Sequence, residues 1–275
     1  MLALTPKQHP RTERFLSEEF LVRQLLTGLG SPLNVLFPQQ IHENVTSFQN
    51  VFHEAGIQGS IYGTHKPNMS QAFVQELART SSNIDVSSYG ELVSALQAGF
   101  TGNRIGATGV KSERFLRLAL QHDVVIAVDS FAELKQLTLL AGGYGSASVR
   151  ILLRLCGFSS NHTVIRWKDT RFGIRLEDID EAIDWCVDHP QLRCLGVAFH
   201  LSEATQNEKI VAIENSLVCL QKMQTRGLPV TTLNIGGGFR VSYLASEEEY
   251  ETYLSRLKEQ VLAGDASLTW DQSGL

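Results

Sequence analysis

The sequence predicts an α/β fold of the (β/α)8 barrel class, on three observations. From residue 60 onward one phrase recurs: a short apolar run, a polar turn, then an amphipathic helix pattern. The runs are rich in β-branched residues and nearly continuous in apolarity, as parallel strands covered on both faces should be. The polar residues that break the pattern collect at the C-terminal ends of the runs, the rim where such folds build their sites. Seven full units and an eighth run favour the closed barrel over an open doubly wound sheet.

The predicted strands are "IYGTH" from 61, "IDVSS" from 84, "RIGATG" from 104, "VVIAVDS" from 124, "VRILLRL" from 149, "LGVAFH" from 195, "TTLNIGGG" from 231 and "SLTW" from 267. A helix over 43–55, with Val45, Phe48, Val51 and Phe52 inward, precedes the first strand. Ser130 with Glu133 and Ser246 with Glu249 have capping-box spacing, and Gly99, Gly227 and Gly264 stand where helices should stop. Residues 1–41 read as an N-terminal segment carrying one lone strand in "GSPLNVLFPQQ" (30–40), and 42–275 as the barrel, cut off after its eighth strand. The stretch 156–174 is too long for a routine βα connection and reads as a functional loop or lid.

The 275 residues are 43% hydrophobic and 19% charged with net charge −5, and the pI is about 5.9. No basic run interleaved with aromatics is present, so neither nucleic acid nor an anionic membrane is an expected partner. There is no apolar run of membrane-spanning length and no secretory signal pattern, which predicts a cytoplasmic protein. Cys156, Cys186, Cys194 and Cys219 lack metal-ligand spacing and read as reduced core thiols, with no metal expected.

His65 and Lys66, Asp85, Thr108, Asp129, Arg154, His200 and Gly236 all fall at or just past predicted strand ends. A lysine emerging from a barrel strand beside apolar neighbours is expected to be partly desolvated, which favours Schiff-base chemistry near neutral pH. Gly236, Gly237 and Gly238 leave backbone N–H groups free to converge on an anion, although three glycines also make an ordinary tight turn. His200 offers a flat ring that can stack on an aromatic group, and Ser202 a hydroxyl for phosphate. Arg154 and Asp85 each need a partner of opposite charge, and an ion pair between them would serve both. A lysine, a phosphate nest, a stackable ring and fixed charges together specify pyridoxal 5′-phosphate.

At these residues the chain resembles the barrel domain of the fold-type III pyridoxal-phosphate decarboxylases, which include diaminopimelate, ornithine and arginine decarboxylases and share the alanine racemase-like barrel. The resemblance runs in order from "SPLNVLFPQQIHENVTSF" through "YGTHKPN", "IDVSSYGELVSALQAGF", "ATGVKSERFLRLAL", "VDSFAELKQL", "VRILLRL", "RFGI" and "FHLS" to "LNIGGGF". It implies that Lys66 holds the internal aldimine and later moves a proton, and that His200 stacks on the pyridine ring. It implies further that Gly236, Gly237 and Gly238, with Ser202, bind phosphate, and that Arg154 and Asp85 orient the cofactor. The implied reaction is loss of the α-carboxylate from an amino acid whose identity the sequence leaves open.

The sequence also departs from the family. Pro67 stands where alanine is usual, and His65 where the residue is commonly apolar. The family's glutamate-proline-glycine-arginine motif after the eighth strand is replaced by "LTWDQSGL", with Asp271 as the candidate acid for the pyridine nitrogen. The family's C-terminal β-domain, which completes the site across a dimer, is absent, so a homodimer is expected only if that domain exists. The expected function is an amino-acid decarboxylase seen as its barrel portion. The alternatives are a single-barrel pyridoxal-phosphate carrier without turnover, and a phosphate-binding lyase that uses Lys66 without this cofactor.

Overall fold

The structure, a computed structural model, describes residues 4–143, 148–160, 165, 170–202, 204–239, 241 and 243–262. These fall into two units: Leu36–Phe239, and the residues before and after it.

The terminal unit contains α1 (Pro10–Ser17), α2 (Glu19–Leu29) and α10 (Glu247–Leu262). Its two ends are tied together by an antiparallel bridge between Pro6 and Leu244, and Thr5 donates its N–H and hydroxyl to the Glu249 carboxylate at 2.9 and 3.1 Å. Glu249 therefore spends its side chain on Thr5 and completes only the Ser246 half of the predicted capping box. The lone strand expected over 30–40 does not form: Gly30–Pro38 has no strand, and Gln39 and Gln40 begin a helix. A strand needs a partner edge for its ladder, and Pro32 and Pro38 lack the N–H to make one.

In Leu36–Phe239, α3 (Gln39–Glu54) leads into β1 (Tyr62–Thr64), α4 (Gln71–Ala78), β2 (Asn83–Val86), α5 (Tyr89–Gln97), β3 (Ile105–Ala107), α6 (Glu113–Gln121), β4 (Val125–Val128) and α7 (Phe131–Gly143). Then follow β5 (Val149–Cys156), β6 (Ile174–Arg175), α8 (Ile179–Asp188), β7 (Leu192–Ala198), α9 (Gln206–Thr225) and β8 (Thr232–Asn234). Every pairing between these strands is parallel, in the order β1-β2-β3-β4-β5-β7-β8, with β6 attached only to the end of β5. An open doubly wound sheet reverses its strand order at a switch point. Here the order advances without reversal, so right-handed crossovers put every helix on one face, as a barrel requires. Seven predicted strands are present. The eighth, at 267, and Gly264 lie outside the described residues.

Strand side chains sort by alternation into two apolar clusters. Ile84, Val86, Ile126, Val128, Ile151, Leu153 and Val197 belong to the large cluster shared with the helices. Val125, Ala127, Leu152 and Ala198 form a separate small cluster on the opposite, inner face. That inner face also carries Asp129, Arg154 and His200, each two residues beyond a member of the small cluster, and Asp85, one residue from Ile84 and Val86 of the large cluster. Helix α3 buries Ile41 and Val45, but Phe48 and Val51, expected inward, are exposed.

The βα loops end on hydroxyl caps. Ser70, Ser88, Ser112, Ser130 and Thr205 accept the N–H of Phe73, Glu91, Phe115, Glu133 and Glu208, respectively, at 3.2–3.4 Å. Each such cap is worth about 1 kcal/mol, and together they fix where each loop leaves the rim. No helix among the described residues is long and apolar enough to cross a membrane.

Candidate functional site

The strand ends bring two arcs of polar side chains to the rim of the sheet. The first is built by β2 to β5. Asp85 on β2 is partly buried, and its Oδ2 accepts the Thr108 hydroxyl at 3.0 Å. Burial pushes its carboxyl up to about 7, with the Thr108 bond opposing the shift and Glu91 adding to it. The Arg154–Asp85 ion pair allowed by the sequence is not what forms. Arg154 Nη1 binds Asp129 Oδ1 at 2.8 Å and lies over the Phe172 ring at 4.9 Å. Asp129 directly follows β4, the strand hydrogen-bonded to β5, and so is the nearer carboxylate.

Below this pair lies a second one that the sequence reading missed. Lys111 Nζ reaches Glu133 Oε2 at 3.1 Å, with side-chain exposures of only 0% and 7%. Lys111 also donates to the carbonyls of Gly109 and, at 2.8 Å, Ala127. Glu133 Oε2 accepts the Asp129 N–H at 2.7 Å, which holds the partner of Arg154 in place. It does this instead of closing the predicted capping box on Ser130. Burial lowers the pKa of Lys111 and raises that of Glu133, and their mutual attraction offsets both shifts.

The second arc consists of the turn after β1, the end of β7 and the turn after β8. Lys66 lies in that first turn and is exposed. The expected partial desolvation is not met, because β1 ends at Thr64 and the lysine stands two residues beyond it. His65 leaves the open rim altogether. It is 1% exposed, and both its ring nitrogens lack a hydrogen bond. His200 is exposed at the end of "VAFH". Its Nδ1 accepts the Gly237 N–H at 3.4 Å, and its Nε2 lies 3.3 Å from Ser202 Oγ. A neutral ring that accepts at Nδ1 carries its proton on Nε2, aimed at Ser202. Burial, followed by the charges of Arg154, Lys209 and Lys66, holds the imidazole pKa below its ordinary value.

The glycine turn closes this arc. Gly236 and Gly238 have φ of 65° and 71°. A Cβ on Gly236 would stand 2.4 Å from the Phe199 carbonyl oxygen and 3.0 Å from His200 Cα, whereas one on Gly237 would meet nothing within 4 Å. Gly236 N–H is taken by Asn234 Oδ1 at 2.8 Å, so the predicted nest is only partly free. The Gly238 N–H has no partner among the described residues. Lys209, also missed in the sequence, is buried beside this turn and donates to the Gly237 carbonyl at 2.7 Å.

Asp271 and residues 161–164 and 166–169 of the 156–174 loop lie outside the described residues. Of that loop, Phe158 packs edge-on to Phe199 at 5.4 Å, and Ile165 is buried. The arrangement fits pyridoxal phosphate in its donor set: an accessible amine for an aldehyde, an exposed ring for a π-face, and a glycine turn with Lys209 beside it for a phosphate.

Residues 38–268 match the family described as pyridoxal-dependent decarboxylase, pyridoxal binding domain. The chain is 30% identical over 245 residues to diaminopimelate decarboxylase of Bacillus subtilis (strain 168), covering 84% of this chain and 56% of that protein. It is 27% identical over 237 residues to the diaminopimelate decarboxylase of Staphylococcus aureus (strain COL), covering 83% and 55%. The crystal structure of diaminopimelate decarboxylase from Helicobacter pylori complexed with L-lysine aligns with a TM-score of 0.68 at 24% identity, covering 84% of this chain and 62% of that one, and supports the fold. The chain thus spans about half the length of the curated relatives it matches. With its strand order, its glycine turn and four-fifths of its length aligned, this chain belongs to the pyridoxal-dependent decarboxylase family, as its pyridoxal-binding domain.

Proposed function

We propose that this chain is the pyridoxal-phosphate-binding portion of an amino-acid decarboxylase of the diaminopimelate or ornithine type, with Lys66 as the residue that holds the cofactor's aldehyde. One observation carries the proposal: His200 accepts the Gly237 N–H of the glycine turn while the buried Lys209 ammonium holds the carbonyl of the same glycine. The bound cofactor supplies an electron sink for the pair left behind when an α-carboxylate departs as CO2.

The chain's own residues have separable tasks. Lys66 Nζ, free of any ion pair among the described residues, would hold the aldehyde and could deliver a proton to the substrate's α-carbon. The neutral His200 ring offers its face to the pyridine. Its Nε2–H donates to Ser202 Oγ, which leaves the hydroxyl proton to be donated to phosphate. Gly236 lets the turn approach His200, Gly237 leaves room for the ligand, and Gly238 supplies an N–H. Arg154, braced by Asp129, and Asp85, its carboxyl pKa raised to about 7, set the polarity of the inner face. The carrier alternative rested on chain length, which carries no weight for a chain aligned to half of each relative.

Pyridoxal phosphate added to the purified chain should give a visible absorption band that borohydride bleaches, and Lys66→Ala should abolish it. An unchanged band in that variant would reject the assignment. Decarboxylase and carrier separate on CO2 release from basic or dicarboxylic amino acids by the gene's full-length product.

A further inference from the structure

We infer that Lys209 is a phosphate ligand of this site, supplying the positive charge that the glycine turn lacks. The inference rests on the reading above and extends it to a residue outside the motifs that suggested it.

Lys209 lies in the first turn of α9, on the inward stripe it shares with Ala212, Ser216, Cys219 and Met223. Only 9% of the residue is exposed. Burial lowers its pKa, and a lysine this buried normally has a carboxylate partner. Here there is none among the described residues. The adjacent Glu208 is committed to the Thr205 N–H and hydroxyl at 2.7 and 2.9 Å. The Lys209 ammonium is left with one carbonyl, that of Gly237 at 2.7 Å, and the Phe239 ring at 4.2 Å.

Its surroundings are already positive. The N-terminal turn of a 20-residue helix carries partial positive charge, and Lys66 and Arg154 bear on the same His200 ring. A cation held here, touching the middle glycine of a turn with one unused N–H, is what a dianionic phosphate requires. Lys209 can keep its bond to the Gly237 carbonyl and still direct a second N–H at the anion, since an ammonium has three donors.

The test compares two ligands that share aldehyde and ring and differ only in phosphate. Pyridoxal phosphate and pyridoxal are titrated by absorbance against the wild-type chain, Lys209→Met and Lys209→Gln, with borohydride trapping to identify the lysine modified. Lys209→Gln retains a donor for the Gly237 carbonyl, so it carries the comparison if the methionine variant does not fold. Loss of one charge-assisted bond should weaken pyridoxal phosphate by roughly ten- to hundredfold and leave pyridoxal within about twofold. Inorganic phosphate should raise the melting temperature of the wild type and not of either variant. Equal weakening of both ligands would make Lys209 structural and overturn the inference, as would an unchanged preference for the phosphorylated form. If the wild type binds neither ligand, or is trapped on Lys209 instead of Lys66, the reading of the whole site fails as well.

Discussion

The two arcs of the rim are built on opposite terms. Between β2 and β5, charged groups are paired inside the protein: Lys111 with Glu133, Arg154 with Asp129, Asp85 with Thr108. Across the turn after β1 and the ends of β7 and β8, Lys66 makes no hydrogen bond among the described residues. Among those residues His200 makes only two long ones, and Lys209 has no counter-charge. Both arcs stand on the same kind of strand end, so strand geometry does not explain the difference. One arc has met its electrostatic needs within the chain, and the other keeps a surplus of positive charge. A ligand is bound where polar groups still have capacity to spend, and the self-satisfied arc is the frame that holds the other open.

That contrast can be broken by substitution, starting where the effect on folding is greatest. Lys111→Met leaves Glu133 buried without its partner and should cost about 3–5 kcal/mol, read by urea unfolding. The double variant Lys111→Met with Glu133→Leu should recover most of that loss. A small loss in the single variant would mean the frame is not held by this pair.

Next is the pH dependence of Asp85. Its folded pKa is raised to about 7, against about 3.9 in an unfolded chain. Between these values the folded state binds the extra proton. The contribution to stability is therefore complete at low pH and is lost as pH rises to about 7, with a slope of up to about 1.4 kcal/mol per pH unit. Asp85→Asn should flatten that slope in stability measured from pH 4 to 8, and a slope unchanged in the variant would remove Asp85 as its source.

On the open arc the effects on folding should shrink. His200→Ala loses two long hydrogen bonds and should cost no more than about 1 kcal/mol, while weakening retention of pyridoxal phosphate in dialysis. Lys66→Met, at an exposed position, should stay within about 0.5 kcal/mol of wild type in the same urea experiment. The residue with the smallest effect on folding is thus expected to have the largest on the cofactor.

Much of the fold could be read in the sequence because β-rich runs of four to eight residues carry their own signal. Each of the seven main strands falls within or against a run read that way. β6 carried none: two residues held by the end of β5 have no periodicity to detect. The 30–40 segment failed for the opposite reason, since its composition favours a strand that has no edge to join. At the site, residues that interrupt apolar strands were visible, including Asp85, Arg154 and His200. Lys111 was not, because "GVKSERF" reads as a solvated helix start, and its burial arises only once α7 brings Glu133 beneath it. Lys209 left a fainter trace. The stripe 209, 212, 216, 219, 223 has helical spacing, and a lysine at its head is out of character with the rest.

The four thiols have a practical consequence. Cys156 on β5, Cys186 on α8, Cys194 on β7 and Cys219 on α9 are all buried and unbridged. No alkylating dye can touch them until sheet and helical cover part, so the molecule carries its own clock for breathing motions. Comparing labelling rates at Cys194 and Cys219 by mass spectrometry would time the separation of the two layers without adding a single probe.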